Sequence, residues 1–260
     1  MWTCTLRYLV KKNVLIFVFS LIFCIATLNA TEPNINDKID SLLQNRVIEI
    51  TGAELKSFKN KSFEQKLISH LKKIDPTNKT ANALSDYIEI GNYEILNAIK
   101  LNNNNIFLNY LVRSNESIFP KKAESRETLG HDKIKHHVIL LYNINKKEIT
   151  EINYMFVQYT PILFHKYEYN GKNILYGIGN NSSSGMAITD IYFLAILTKN
   201  LELLFSECIL FSQSFYSNEI EDIEFEKDFV FNEDKIEITG KDFDFKKQKY
   251  VDYTKIYKLF

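Results

Sequence analysis

Two periods of apolar residues divide the chain. In its first third the apolar positions fall at helical spacing, and from Val138 onward they alternate. Ile35, Ile39, Leu42 and Leu43 share one helical face after Pro33. Phe63, Leu67, Ile68, Leu71 and Ile74 form a second, with Ser62 and Gln65 spaced as a capping box. Between them 47–51 is short and β-branched, which suggests one brief strand interrupted by Gly52. Residues 81–112 also read as mostly helical, from Leu84, Tyr87 and Ile88 and then Ile95, Leu96 and Ile99, with a break at 102–105. A polar stretch at 113–135, with Pro120 and Gly130, reads as a boundary loop.

The second half predicts strands. Runs at 137–144 and 148–159 flank a turn at 145–147, and runs at 161–169 and 172–178 flank Asn170-Gly171, a dipeptide suited to a type I′ hairpin turn. Gly179, Asn180, Asn181, Ser182, Ser183, Ser184 and Gly185 then form the longest polar break inside an apolar region, and are expected as a loop. The runs 188–197 and 201–211 are apolar on both alternating faces, so they are expected as central strands covered on both sides. Ile223/Phe225, Phe229/Phe231, Ile236/Ile238 and Phe243/Phe245 pair two apart with charges between, and predict strands wet on one face. Turns are expected at 232–234 and 240–242, and 250–260 as a last edge strand. The fold class that follows is α+β: an α-rich N-terminal part, then a mostly antiparallel sheet or sandwich built as a meander. The expected division is a leader at 1–30, an α-rich region at 31–115, a connecting loop at 116–136 and an antiparallel β domain at 137–260.

Charge and composition add an address. Arg7, Lys11 and Lys12 precede an apolar run at 14–26, and Ala30 follows at a site suited to cleavage. At roughly 15 residues the run is short of the ~20 that span a bilayer comfortably, so a cleaved signal peptide is expected. A retained anchor, or a lipid on Cys24, are the alternatives. The expected location is therefore the periplasm or the outside of the cell, with no membrane contact by the mature form unless that segment is retained. The first 30 residues hold three of the 32 basic residues and no acid, so without them the chain is acidic by three charges. That balance gives no electrostatic support to nucleic-acid binding. Only Cys208 lies beyond the leader, in an apolar run, so no intramolecular disulfide forms and a small core hydrophobe is expected.

Candidate chemistry is thin. His131, His136 and His137 cluster beside Asp132, but adjacent histidines at the start of a strand point to opposite faces, so neither metal nor cofactor is expected. Ser69 and Lys72 match a Ser-x-x-Lys pattern without its Lys-Thr-Gly companion. Glu207 interrupts an apolar run, where burial would raise its pKa and make it a candidate acid. The functional expectation is an exported, non-enzymatic binding protein, of inhibitor or immunity type, that contacts a protein partner through 179–185. An envelope hydrolase using His131 or Glu207 is the alternative, and a structural component of the envelope is a third.

Overall fold

The computed structural model describes residues 35–74, 79–113, 134–158, 160–184, 187–216 and 221–260. The expected leader, His131 and Gly185 lie outside the described residues, as does most of the expected connecting loop. The chain divides into two compact units, 1–38 and 39–260, and of the first only the opening turn of helix α1 (Ile35–Gln44) is described.

Among the described residues of the second unit, helices α2 (Gly52–Ser57), α3 (Lys61–Ile74) and α4 (Lys79–Glu89) precede eleven strands. The capping box lies one helix earlier than the pattern suggested. Thr51 Oγ1 accepts from Glu54 N at 3.2 Å, and Glu54 Oε2 accepts from Thr51 N at 2.8 Å. Helix α3 is capped instead by Asn60, whose Oδ1 accepts from Phe63 N at 2.9 Å. The brief strand expected at 47–51 is a single bridge between Ile48 and Ala98.

Residues 93–112 are not helical. They form the hairpin β1 (Tyr93–Lys100) and β2 (Asn105–Val112), turned by Asn102, whose Oδ1 accepts from the amides of Asn104 and Asn105. Both strands are buried on both faces, so their apolar residues show no alternation, and a short apolar run does not tell a strand from a helix. With β3 (Ile134–Asn143) and β4 (Glu148–Gln158) they make an antiparallel sheet in chain order. One face packs on the helices through Ile106, Leu108, Tyr110, Val138 and Leu140 against Phe58, Phe63, Leu67, Leu71, Leu84 and Ile88.

The remaining strands form one seven-stranded antiparallel meander: β5 (Thr160–Tyr169), β6 (Lys172–Ser184), β7 (Ala187–Leu197), β8 (Leu203–Phe215), β9 (Ile223–Asn232), β10 (Lys235–Asp244) and β11 (Lys249–Lys258). Asn170 and Gly171 take positive φ, 49° and 70°, as a type I′ turn requires. Strands β8 and β9 share only the register from Leu210↔Glu226 to Gln213↔Ile223. Beyond it β9–β11 folds back across β5–β8. Tyr176 on β6 reaches Phe231 on β9 at 4.7 Å between ring centroids, and Phe205 on β8 stacks on Tyr257 of β11 at 3.8 Å. The opposite face of β5–β7 meets the four-stranded sheet through Ile162, Phe164, Leu175 and Leu197 against Ile99, Phe107 and Ile139. Strand β7 therefore lies between two layers, which is why its residues from Leu194 to Leu197 are all buried. The expected turn at 240–242 is the middle of β10; the chain turns at Asp244–Lys249 instead. Gly240 is needed there for a close approach: a Cβ would lie 2.3 Å from the Glu226 carbonyl oxygen and 2.7 Å from Lys227 Cα.

Candidate functional site

Among the described residues, three places gather polar or exposed side chains: a buried seam, a buried ion cluster and an open end of the meander. The seam lies where β5, the edge of the seven-stranded sheet, presents unpaired backbone to the four-stranded one. Asn97 Oδ1 accepts from Phe164 N (2.9 Å) and Asn97 Nδ2 donates to Phe164 O (3.2 Å). Asn109 Nδ2 donates both to Asn97 Oδ1 (3.0 Å) and to Ile162 O (2.9 Å). His137 Nε2 accepts from Ile162 N at 3.3 Å, which puts the imidazole proton on Nδ1, where it is donated to Asn109 Oδ1 at 2.9 Å. Three side chains thus take the place of a neighbouring strand, and the edge is closed without one. His136 and His137 are both buried, because β3 is covered on both faces. Burial pushes His137 down to about 3, with His136 adding to the shift, and pushes His136 down to about 4. His165 donates to or accepts from nothing catalytic: its Nε2 meets the Leu42 carbonyl at 3.1 Å, so that nitrogen carries the proton.

The ion cluster centres on Lys227, only 2% exposed, which lies 2.8 Å from Asp242 Oδ2, 3.4 Å from Glu207 Oε1 and 3.9 Å above the Tyr253 ring. Tyr257 donates to Glu207 Oε2 at 2.6 Å. Burial alone would raise the Glu207 carboxyl, as the sequence suggested. Hydrogen bonds from Tyr257 and Tyr253, and the charges of Lys227 and Lys255, outweigh it and hold Glu207 below its usual value. Glu207 is therefore a fixed anion in an ion pair. Cys208 beside it is half-buried, and burial pushes its thiol up to about 11, so it is a poor nucleophile at neutral pH. Ser69 and Lys72 are exposed on α3.

The segment expected as a binding loop is mostly strand. Gly179, Asn180, Asn181, Ser182, Ser183 and Ser184 are the last residues of β6 and pair with β7, from Gly179↔Phe193 to Ser184↔Ile188. Asn180 is buried, and a Cβ at Gly179 would run into the Phe193 ring at 2.3 Å, so these two residues serve packing. Only Asn181 and Ser182 among those with described side chains are partly exposed. What the sequence did not single out is their setting. In an antiparallel meander the end of β6, the start of β7, the end of β8, the start of β9 and the β10–β11 turn all lie at one end. That end carries Ile188 (44% exposed), Tyr216 (67%), Phe245 (56%) and Tyr250 (49%). Phe245 is held by Phe243 and Phe211 at 5.1 and 5.8 Å between ring centroids, and Phe243 holds Tyr250 at 5.1 Å. Phe245 and Tyr250 are thus braced by neighbouring rings.

At the opposite end a polar cleft of about 370 Å³ is lined by Tyr169, Asn170, Lys172, Glu233, Asp234, Lys258 and Phe260. Comparison with protein-family models, with curated proteins and with solved structures gives no match.

Proposed function

We propose that the chain is an exported, non-enzymatic binding protein that holds a protein partner against the open end of β6–β11. One observation carries the reading. Among the described residues Glu207 and His137 are engaged in holding the fold, whereas four large apolar side chains at one end of the meander stand in solvent. Glu207 is kept charged by Lys227 and two tyrosines, and His137 is kept neutral by its amide donor. A general acid at neutral pH needs the opposite shift from the one Glu207 has. Tyrosine, serine and asparagine beside a few apolar anchors give contact area at low entropic cost, and Ser182, Ser212, Ser214 and Tyr216 frame Ile188 in that way.

The test is capture from envelope extract at matched folded fraction. Replacing Ile188, Tyr216 and Phe245 together with serine is expected to abolish capture, while Glu207→Gln and Lys172→Ala/Lys258→Ala retain it. Capture that survives the triple serine variant, or a hydrolysis lost in Glu207→Gln, rules the reading out. Export is checked separately by mass spectrometry, with a mature N-terminus expected at Thr31 and an intact leader contradicting it.

A further inference from the structure

The open end is not uniform in charge. Its β10–β11 turn carries Lys246, Lys247 and Lys249, all exposed, against a single acid, Asp244, which is committed to Lys247 at 3.1 Å and to the turn amides of Lys246 and Lys247. The neighbouring start of β9 carries Glu221, Asp222, Glu224 and Glu226, also exposed, with no basic residue among 221–226. Asp222 is occupied by the Phe215 amide at 2.9 Å. Lys246, Lys249, Glu221, Glu224 and Glu226 have no ion-pair partner among the described residues. A basic tip and an acidic edge therefore lie at the end of the meander that carries the exposed apolar residues, and neither neutralises the other.

We propose that this end pairs head to head with a second copy of the chain. A twofold rotation brings the basic tip of each copy over the acidic edge of the other, which is the self-complementarity that an isologous interface requires. An end of a single sign would repel its own copy. An anionic lipid surface is the poorer occupant, because it attracts the lysines and repels the glutamates a few residues away. The pairing rests on the reading of this end as a contact surface. It gives that surface a resting state in which Phe245 and Tyr250, beside the basic tip, are covered until another partner competes for them.

The experiment is sedimentation of the purified full-length mature chain across the micromolar range, at low and at high salt. Wild type is expected to form a dimer that salt weakens. The variants Lys246→Glu/Lys247→Glu/Lys249→Glu and Glu221→Lys/Glu224→Lys/Glu226→Lys are each expected to be folded monomers, with association at least about tenfold weaker. An equimolar mixture of the two is expected to pair again, because each then offers the sign the other lacks. A monomeric wild type, or reversal variants that dimerise as wild type does, overturns the pairing. So does a mixture that stays monomeric while each component is folded. Capture from extract by the monomeric variants separates the two ideas: a wild type that never dimerises yet captures a partner refutes self-pairing and leaves the binding reading standing. Loss of capture in the triple serine variant bears on the binding reading alone.

Discussion

Asn97, Asn109 and His137 lie where water does not reach, and every polar side-chain atom of the three has a hydrogen-bond partner. Ile188, Tyr216, Phe245 and Tyr250 lie at the other extreme, apolar side chains left in water at one end of the seven-stranded meander. The cost of error differs between the two places. A buried polar atom that loses its partner costs about 1–3 kcal/mol, while an exposed apolar side chain costs the fold almost nothing. The seam is therefore where substitutions unfold the protein, and the open end is where they change only what it touches.

The sharpest way to break the comparison is Asn109→Leu. It leaves the Ile162 carbonyl and the His137 Nδ1 proton without their partner, and Asn97 Oδ1 with one donor, Phe164 N, instead of two. Two such losses are expected to cost about 2 kcal/mol or more, read from urea denaturation. A variant within about 0.5 kcal/mol of wild type means that the seam does not hold the sheets together.

Acid attacks the same place more gradually. Burial sets the folded-state pKa of His137 at about 3, below the ~6.5 of an unfolded histidine, so the unfolded chain takes up the proton first. The stability from this group is whole above about pH 6.5 and drains as the pH falls toward 3, at up to about 1.4 kcal/mol per pH unit. Protonation also sets an N–H against the Ile162 N–H, which removes an acceptor. His136, shifted the same way, steepens the loss. Denaturation midpoints at pH 7, 6 and 5 are expected to fall more steeply for wild type than for His137→Gln, and parallel slopes contradict the assignment.

Gly240→Ala is expected to cost about 1–3 kcal/mol, since its φ is 154° and its Cβ would strike the backbone of Glu226 and Lys227. Calorimetry checks this, with an unchanged Tm as the contrary result. Cys208→Ala is milder, at roughly 1 kcal/mol or less, because only a half-buried thiol is lost. The serine substitutions at Ile188, Tyr216 and Phe245 are expected to fall within about 0.5 kcal/mol each, the smallest effects on stability.

Much of the fold was legible where pattern and turn chemistry agreed. Asn170-Gly171 marked a hairpin, and the doubly apolar run through Leu194 and Ile196 marked a strand between two layers. At the next run the same logic failed: Leu203 and Leu204 are exposed and only Leu201, Ile209 and Phe211 are buried, so charge at Leu204 is tolerated, whereas Leu194→Asp is not. The β1–β2 hairpin was hidden because strands buried on both faces show no period. Its one clue was an asparagine in the middle of each apolar run, Asn97 in 93–100 and Asn109 in 105–112, which a buried strand keeps only for a partner. Residues 179–184 looked like a loop because glycine, asparagine and serine dominate turns. Here Gly177 and Gly179 are small because β5 backbone and the Phe193 ring occupy the space a side chain would fill. The open end was illegible for a different reason: its four apolar residues are far apart in sequence, and only the meander gathers them.

Hydrogen exchange of the free protein against the same protein holding its captured partner tests the central claim most directly. New protection is expected in 182–190, 213–216 and 243–250, while amides of β1, β2 and 162–164, already slow in the free protein, stay unchanged. Protection confined to 169–172, 233–234 and 258–260 would place the contact at the polar cleft and contradict the account.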